Sequence, residues 1–358
     1  MAWKSFPFGW NPRAEEGAGT IDAKVDQYPE TVCDASSGLA QITSPVCNEL
    51  QRVESLLRSE LNSDEPWLAE LINGVQCLGG KRMRPLMLLL FGLATGKVED
   101  SHLRASVAFE LVHLATLVHD DVIDCAGMRR GQPTLHQRQG IRPAILTGDY
   151  LFARAFVVAS QIGCAELIGD LARAVGRVCC GEIRQNHFAG NLELALEDYI
   201  EIVSAKTASL CASACRNGVL LNTRDPKLSD AAWLFGNHVG VAFQVIDDCL
   251  DLEGSAEVVG KTLGTDAAAG KLTYPLIHAL AFNGGQYSEP IQRCLNSAAN
   301  GAAEDLVLLL EETDSLTAAR LFADQQVELA RDTLAEFPCS DAQVGLSRLA
   351  DFVIRRQW

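Results

Sequence analysis

The sequence lacks features that would define several common classes of protein. None of its apolar runs reaches the roughly 18 uninterrupted residues that a membrane-spanning helix needs. It also has no long run of lysine or arginine, and 46 acidic against 30 basic residues give a formal net charge of −16. Because nucleic-acid binding needs a clustered basic surface, we expect no nucleic-acid partner and at most peripheral contact with a membrane.

Signals for β-strands are also scarce. Aromatic residues make up only 6% of the chain, and no Asn-Gly or Asp-Gly turn joins two alternating runs. From about Pro45 onward, apolar residues instead recur at three- and four-residue spacing, as they do between Leu103 and Val118. This pattern predicts one all-α domain of ten or so helices over residues 41–358. The preceding N-terminal extension, residues 1–40, is expected to be loosely ordered.

The 12 cysteines include no Cys-x-x-Cys pair, and no signal peptide precedes them. Most of them lie in apolar helical runs, where free cysteine is a common small buried residue. We therefore expect reduced core cysteines in a cytoplasmic protein. The examples are Cys164, Cys179, Cys180, Cys211 and Cys215.

Two copies of one acidic pattern carry the strongest chemical signal. The first is DDVID, residues 120–124, and the second is DDCLD, residues 247–251. In a helix the first and last Asp of each motif share a face. Each motif follows an apolar stretch that predicts partial burial, and clustered carboxylates in such a place require cations. Oxygen ligands with spare coordination positions suit Mg²⁺, which also takes substrate phosphates as ligands.

Basic residues flank both acidic motifs. The segment GGKRMRP, residues 79–85, places Lys81 and Arg84 three apart at a predicted helix start, where backbone N–H groups also favour an anion. Guanidinium forks and lysine amines bind phosphate oxygens. The pattern therefore predicts a pocket for two diphosphate groups, one bridged by metal and one held directly by cations. The other members of this basic set are Arg129, Arg130, Lys206, Lys261 and Lys271.

These motifs resemble those of the all-trans isoprenyl diphosphate synthases, particularly the long-chain members. The match runs from about Pro45 to the end of the chain. Besides GGKRMRP and both acidic motifs, it includes RRGQPTLH, AILTGDYL, GEIRQ, KTASL, GKTLGTDAAAGKLTYPL and LADFVIRRQ. The resemblance implies a helical bundle of the isoprenoid synthase type, with a central cavity between the two helices that carry the acidic motifs. It also implies a homodimer.

The same resemblance assigns individual residues to two pockets and a metal site. The isopentenyl diphosphate pocket would consist of Lys81, Arg84, His113 and Arg130. The allylic diphosphate would contact Arg129, Lys206, Thr207, Gln244, Lys261 and Lys271. Three Mg²⁺ ions, which Mn²⁺ can replace, would be bound by Asp120, Asp124 and Asp247, with Asp121, Asp248 and Asp251 supporting them through water or neighbouring contacts.

Two parts of the sequence depart from the family pattern. Residues 264–271 read GTDAAAGK where the family usually has Gly-Thr-Asp-Leu-x-Glu-Gly-Lys, so this loop lacks an apolar anchor and a carboxylate. We expect its closure to be looser for that reason. Arg142 replaces a common Asn shortly before AILTGDYL. Neither change removes a group that the chemistry needs.

The resemblance implies a head-to-tail condensation. The allylic diphosphate leaves, the alkene of isopentenyl diphosphate attacks the resulting carbocation, and a proton is lost. Thr207 and Gln244 are expected near the positive carbon, and water must be excluded. No obvious protein base lies in the motifs, so the released diphosphate is the expected proton acceptor.

The residues before the first acidic motif predict the length of the product. One turn before Asp120 stand Ala115 and Thr116, which are small, and the next bulk comes at Leu111 and Val112. Because no bulky side chain would close the hydrocarbon tunnel one turn before Asp120, we predict an all-trans product of roughly six to ten isoprene units. Geranylgeranyl or farnesyl diphosphate is the alternative product.

Three other functions compete with the synthase. A class I terpene cyclase also ionises a diphosphate with a DDxxD helix, but it normally lacks Lys81 and Arg84 and carries an Asn/Ser/Glu motif in place of the second acidic motif. A non-catalytic subunit of a heteromeric synthase usually loses Asp or Arg residues, whereas this chain has lost none. A structural helical protein explains the core but not the charged motifs. The sequence favours the synthase.

Overall fold

The computed structural model describes residues 40–76, 80–253, 269–297 and 303–356. These ranges are almost entirely helical, which confirms the predicted all-α class. Their strands form one antiparallel hairpin, in which β1 (Met128–Arg129) pairs with β2 (Gln132–Pro133). Across the described helices, none combines the length and apolar character that crossing a bilayer requires. The predicted extension, residues 1–40, falls outside these ranges except for its last residue.

The described ranges contain sixteen α-helices, more than the ten or so predicted. The additional helices are short, so the apolar residues in each of them are too few to show a clear helical repeat in the sequence. In chain order the helices are α1 (Ala40–Thr43), α2 (Cys47–Glu60), α3 (Pro66–Gln76), α4 (Met83–Thr95), α5 (Asp100–Ile123), α6 (Leu135–Gln139), α7 (Ile141–Ser160), α8 (Ala165–His187), α9 (Leu196–Val203), α10 (Ser209–Leu220), α11 (Pro226–Glu253), α12 (Tyr274–Ala281), α13 (Ser288–Ser297), α14 (Ala303–Glu312), α15 (Ser315–Thr333) and α16 (Asp341–Arg355).

Helix α10 lies at the centre of the bundle, where it packs against α4, α5, α8 and α11. Its close approach to α4 depends on Gly218, because a Cβ there would lie 2.3 Å from the carbonyl oxygen of Leu88. Its approach to α11 likewise depends on Gly236, whose Cβ would lie 2.6 Å from the Cα of Ala212. The two helices that carry the acidic motifs, α5 and α11, therefore both contact one central helix.

Helix α5 is buried on nearly all sides, and it ends at the first acidic motif. Reciprocal hydrogen bonds between Glu99 and His102 cap its start. Asp120 and Asp121 lie in its last turn, and Asp124 is the C-cap residue. The C-terminus of a helix carries a partial negative charge, so carboxylates there are unfavourable unless cations compensate them.

The burial of the cysteines differs in part from the prediction. Cys211 and Cys215 are buried, and Cys164 is partly buried, but Cys179 and Cys180 on α8 are exposed. The prediction of a core position was wrong for this pair. The buried stripe of α8 consists of Leu167, Leu171, Ala174 and Gly181, and the two cysteines fall beside it. Because cysteine is apolar, Cys179 and Cys180 looked in the sequence like part of the buried face of the helix.

Candidate active site

The first acidic motif is surrounded by basic side chains. Asp121 is buried, and its Oδ1 accepts a 2.6 Å hydrogen bond from Nε of Arg129. Lys271 is also buried, and its Nζ lies 2.7 Å from Oδ1 of Asp124. Asp120 is partly buried beside these pairs. The structure thus brings Arg129 and Lys271, both predicted to contact a diphosphate, directly to the acidic motif.

Asp120 is the carboxylate of this motif whose ionised form is most clearly disfavoured by its surroundings. Burial, together with repulsion from Glu182 and Asp124, raises the pKa of Asp120 to about 6, against the attraction of Lys206 and Arg129. A carboxylate with a raised pKa gains from any added positive charge nearby. Asp120 is therefore suited to bind a cation.

The second acidic motif lies in the last turns of α11 and is tied to a buried polar network. Asp248 is buried, and its two carboxylate oxygens accept hydrogen bonds from the hydroxyl of Tyr199 and, at 2.9 Å, from Nε2 of Gln244. The Oγ1 of Thr207 donates to Oε1 of Gln244 at 2.8 Å. Burial and the charge of Asp248 hold the pKa of Tyr199 well above its usual value, so Tyr199 stays a donor. The network links the predicted residues Thr207 and Gln244 to Asp248.

The two motifs share one arrangement. The middle aspartate, Asp121 or Asp248, is buried and held by protein donors. The first aspartate, Asp120 or Asp247, is more exposed; the side chain of Asp247 is 40% exposed, and its Oδ1 lies 2.7 Å from Nη1 of Arg356. These partly buried first positions are among those predicted to bind metal, and the buried middle ones are among those predicted to support it.

Lys206 and Thr207 lie in a π-helical segment, Ser204–Ala208, between α9 and α10. Two glycines of neighbouring helices leave room for it. A Cβ on Gly181 would lie 2.5 Å from the backbone nitrogen of Lys206, and a Cβ on Gly240 would lie 2.5 Å from the Cα of Ala208. Such π-helical turns are frequent at functional sites because they alter the direction of side chains and carbonyl groups.

The amine of Lys206 connects this segment to α8 and to the first motif. It donates a 2.9 Å hydrogen bond to Oε1 of Gln185 and forms an ion pair with Glu182. Burial alone would lower the pKa of Lys206, but the charges of Asp120 and Glu182 raise it above its usual value. Lys206 is therefore a permanent cation beside Asp120. Glu182 was not among the predicted site residues, although it lies within the GEIRQ segment.

Arg82, the residue before α4, is held in place by two glutamates. Arg82 precedes Met83, the first residue of α4, and has a left-handed backbone (φ 50°). Its guanidinium forms ion pairs with Glu110 at 2.8 Å and with Glu54 at 2.9 Å. The Nε of Arg84 is buried and has no hydrogen-bond partner among the residues that the structure describes. A buried guanidinium nitrogen without an acceptor favours binding of an anion.

Lys81 lies close to groups from distant parts of the chain. Its Nζ is 5.2 Å from the ring centroid of Phe352 on α16. Burial lowers the pKa of Lys81 to about 8; repulsion from Arg356 and Arg130 adds to this effect, and Asp247 opposes it. Lys81 is therefore near both the second acidic motif and Arg130, which comes from the β-hairpin after the first motif.

His113 is a neutral member of the same cluster. Burial is the largest cause that holds the pKa of His113 well below its usual value, and four positive charges add to it. Its imidazole can donate one hydrogen bond to a phosphate but carries no charge. The charges belong to Arg84, Arg130, Arg82 and Arg129. Lys81, Arg84, His113 and Arg130 thus lie in one region, and their role as a pocket for isopentenyl diphosphate stays a prediction.

The donor set fits a hard divalent cation only together with further ligands. In the parts of the chain that the structure describes, no three His, Cys, Asp or Glu side chains come close enough to hold a metal by themselves. Asp124 and Asp247 are each paired with a basic side chain instead. Mg²⁺ commonly keeps several waters and takes phosphate oxygens, so separated carboxylates suit it. The assignment of Asp120, Asp124 and Asp247 as ligands stays a prediction, and Lys261 lies outside the described residues.

The predicted chain-length residues lie on α5 before the first motif. Leu111, Val112 and Ala115 are fully buried. Thr116 is partly buried, and its Oγ1 donates a 2.7 Å hydrogen bond to the carbonyl oxygen of His113. Their effect on product length stays a prediction.

Comparison with known proteins identifies relatives along most of the chain. Residues 65–312 match the family model described as polyprenyl synthetase. The chain is 34% identical over 315 residues to a prenyl transferase of Porphyra purpurea, covering 87% of this chain and 97% of that relative. It is 30% identical over 312 residues to heptaprenyl diphosphate synthase component 2 of Bacillus subtilis, covering 87% and 89%.

A solved structure shares the architecture. The polyprenyl synthase from Caulobacter crescentus, complexed with calcium and isoprenyl diphosphate, superimposes with a TM-score of 0.85 and 32% sequence identity. The match covers 89% of this chain and 98% of that structure.

Proposed function

The chain belongs to the polyprenyl synthetase family and is a prenyltransferase, and we propose that it joins isopentenyl diphosphate to an allylic diphosphate at the site described above. Its all-α fold is of the isoprenoid synthase type. One observation carries the proposal. Two acidic motifs and two sets of basic side chains, most of them partly buried, converge, which is the arrangement that two diphosphate groups and divalent metal require.

The allylic diphosphate would lie between the two acidic motifs. Asp120, Asp124 and Asp247 would hold three Mg²⁺ ions, or Mn²⁺ in their place. These ions, when bound, supply positive charge that offsets the charge developing on the departing diphosphate. Arg129, Lys206 and Lys271 would contact the same diphosphate directly, and Lys261 is expected to join them. The partly buried hydrogen bonds of Arg129 with Asp121 and of Lys206 with Gln185 support this, because they fix both cations beside the motif.

Isopentenyl diphosphate would bind without metal to Lys81, Arg84, His113 and Arg130. The buried Nε of Arg84, which lacks an acceptor within the described ranges, would gain one from a phosphate oxygen. The neutral imidazole of His113 would donate a hydrogen bond. The ion pairs of Arg82 with Glu110 and Glu54 support a fixed position for the cations on either side of it.

The reaction would begin when the carbon–oxygen bond of the allylic diphosphate breaks. The hydroxyl of Thr207 and the amide oxygen of Gln244 would face the carbocation, while their mutual hydrogen bond and Asp248 keep their orientation fixed. The alkene of isopentenyl diphosphate then forms the new carbon–carbon bond, and the released diphosphate takes the proton. Burial of the polar network would keep water from the cation.

The metal requirement tests this proposal directly. Condensation of radiolabelled isopentenyl diphosphate with a farnesyl primer should need Mg²⁺ or Mn²⁺ and should stop in excess chelator. Asp120→Ala or Asp247→Ala should lower turnover by orders of magnitude with helical content intact. Full activity in chelator would overturn the proposal.

A kinetic comparison tests the two pockets. The KM for isopentenyl diphosphate should rise chiefly in Arg84→Ala, Lys81→Ala and Arg130→Ala. Binding of the allylic substrate should instead be weaker in Arg129→Ala and Lys206→Ala. An Arg84→Ala enzyme that lost only allylic affinity would contradict the assignment.

A homodimer is the proposed assembly, and α7 supplies its support. Its exposed side includes apolar residues that α5 does not cover, namely Ile141, Ile145, Leu146 and Val157. Light scattering should give a dimer, and Leu146→Glu should give a monomer. The similarity to a heptaprenyl synthase component 2 makes a heteromer the alternative. A chain that binds both substrates but is inactive alone would indicate it. The cytoplasmic location stays a prediction.

A further inference from the structure

Tyr199 lies on α9, outside both acidic motifs, and its hydroxyl contacts the second one. The residue is buried, and the hydroxyl donates a hydrogen bond to Oδ2 of Asp248. Its ring meets the ring of Tyr274 edge-on, with the centroids 6.1 Å apart. Tyr274 in turn stacks on Phe322, with the centroids 5.0 Å apart. The ring of Tyr199 is therefore fixed by aromatic packing, and this packing aims the hydroxyl at Asp248.

This hydroxyl is the first donor of a chain of three hydrogen bonds that ends at the proposed site of the carbocation. Oδ1 of Asp248 accepts from Nε2 of Gln244 at 2.9 Å. Oε1 of Gln244 accepts from the hydroxyl of Thr207 at 2.8 Å. The chain joins three elements, because Tyr199 lies on α9, Asp248 and Gln244 on α11, and Thr207 in the π-helical segment. A change at Tyr199 can therefore reach Gln244 and Thr207.

Asp248 determines the direction of the hydrogen bonds in this chain. An ionised carboxylate accepts hydrogen bonds and cannot donate them. Gln244 must therefore turn its NH₂ group toward Asp248 and its carbonyl oxygen toward Thr207. The hydroxyl of Thr207 must then donate to that oxygen, so its only hydrogen is used within the chain. Both oxygen atoms keep lone pairs for a further partner.

The direction matters because the proposed reaction passes through a carbocation. The negative end of a fixed dipole stabilises a developing positive charge, whereas an N–H group pointing at that charge opposes it. If the amide of Gln244 turned over, it would present its NH₂ group where the carbonyl oxygen now lies. A carboxylate that is held on both of its oxygens, by Tyr199 and by Gln244, resists this reversal.

Building on the proposed function, we infer that Tyr199 is a positioning residue for ionisation of the allylic diphosphate. It orients Asp248, which orients the amide of Gln244, so that the oxygens of Gln244 and Thr207 face the carbocation. Tyr199 thereby acts on the rate of the chemical step. Binding of isopentenyl diphosphate, whose proposed pocket is formed by other residues, does not depend on it.

The first test compares two variants that each lose one hydroxyl group. Tyr199→Phe keeps the ring that packs against Tyr274 and removes the donor to Asp248. Tyr274→Phe is the matched control, because it removes a hydroxyl from the ring that meets Tyr199. Rapid-quench single-turnover measurements with Mg²⁺, farnesyl diphosphate and isopentenyl diphosphate separate the chemical step from product release.

The single-turnover rate should fall about tenfold in Tyr199→Phe, because the loss of one donor loosens the buried carboxylate that orients Gln244. The KM for isopentenyl diphosphate should stay within about twofold of the wild type, and Tyr274→Phe should stay within about twofold in both quantities. Equal single-turnover rates in the wild type and Tyr199→Phe would overturn the inference. A Tyr199→Phe chain that unfolds below the assay temperature, as followed by circular dichroism, would assign Tyr199 a structural role instead.

A double-mutant cycle tests whether Tyr199 acts through Gln244. Gln244→Met removes the amide and keeps an unbranched side chain of similar length. Adding Tyr199→Phe to Gln244→Met should slow the single-turnover reaction by less than about a further twofold, because the group that Tyr199 orients is already absent. A further loss of about tenfold would mean that Tyr199 acts independently of Gln244, and the inference would be wrong.

A failure of the proposed function gives a different result. A wild-type chain that forms no product from the two diphosphates with Mg²⁺ would refute the proposed condensation. An active wild type whose single-turnover rate is matched by Tyr199→Phe would refute only the role of Tyr199.

Discussion

Arg82 and Glu110 form a buried ion pair that joins the segment before α4 to the middle of α5, with Nη1 and Oε1 2.8 Å apart. Glu110→Gln should lower the free energy of unfolding by about 2 to 3 kcal/mol, because it leaves the buried guanidinium only partly compensated. Since Lys81 and Arg84 flank Arg82, the KM for isopentenyl diphosphate should rise more than the allylic KM. Urea unfolding and steady-state kinetics measure the two effects.

Glu54→Gln is the matched control for that prediction. Glu54 also pairs with Arg82, but its side chain is 31% exposed. Glu54→Gln should lower the free energy of unfolding by less than about 1 kcal/mol. If the two variants were equally stable, the burial of Glu110 would not be what fixes this segment.

Gly181 tests the role of the π-helical segment. A Cβ at this position would lie 2.5 Å from the backbone nitrogen of Lys206, so Gly181→Ala must displace either α8 or the segment. We expect a stability loss of about 1 to 3 kcal/mol and weaker allylic binding.

Gly176→Ala lies on the same helix, and its Cβ would meet no atom of the described residues within 4 Å. This variant should be up to about 1 kcal/mol more stable than the wild type because alanine favours the helix. If Gly181→Ala and Gly176→Ala had equal stability and equal allylic binding, close packing against Lys206 would be unimportant.

The sequence predicted the class of fold correctly. It also indicated most of the charged residues that the structure places near the two acidic motifs, because both kinds of prediction depend on local patterns. Apolar spacing indicates helices, and two DDxxD motifs with flanking cations indicate a diphosphate site. Tyr199 had no such signal. It contacts Asp248 across 49 positions, and only the packing of α9 against α11 reveals that contact.

Three other charged residues of the site were not predicted, although the sequence around them is informative. Glu182, Arg82 and Arg356 all lie inside segments that resemble the family, yet their roles depend on which side chain each one faces. The ion pair between Arg356 and Asp247 joins residues far apart in the sequence, so spacing could not indicate it. The exposure of Cys179 and Cys180 could not be inferred from their apolar character, because the buried face of α8 is set by its neighbours.

The pKa of Lys81, lowered to about 8 chiefly by burial, predicts a pH dependence for one substrate. A lysine is a cation below its pKa, so Lys81 is charged at pH 7 and mostly neutral at pH 9. The KM for isopentenyl diphosphate should therefore rise above pH 8, by at most about tenfold per pH unit.

The allylic KM should stay flat over the same range, because the pKa of Lys206 is raised rather than lowered. In Lys81→Met the isopentenyl KM should be high already at pH 7 and independent of pH up to 9.5. A wild-type isopentenyl KM that does not change between pH 7 and 9.5 would contradict the contribution of Lys81.

Product length tests the proposed hydrocarbon tunnel along α5. Ala115 and Ala108 are both fully buried and lie seven residues apart, so they share a face about 10 Å apart along the axis. Ala115→Phe should place a floor near the first motif and shorten the product to farnesyl or geranylgeranyl length. Ala108→Phe should place the floor two turns deeper, so its product should be longer than that of Ala115→Phe and shorter than that of the wild type.

Reversed-phase analysis of the dephosphorylated products gives the order of the three lengths. Thermal unfolding controls for overpacking, which can cost about 1 to 3 kcal/mol at a buried position. Because a destabilised enzyme makes less product without a systematic change in length, the graded order separates a tunnel floor from general damage. A wild type that already stops at farnesyl diphosphate would contradict the long-chain prediction. Identical products from both phenylalanine variants would mean that the chain does not grow along this face of α5.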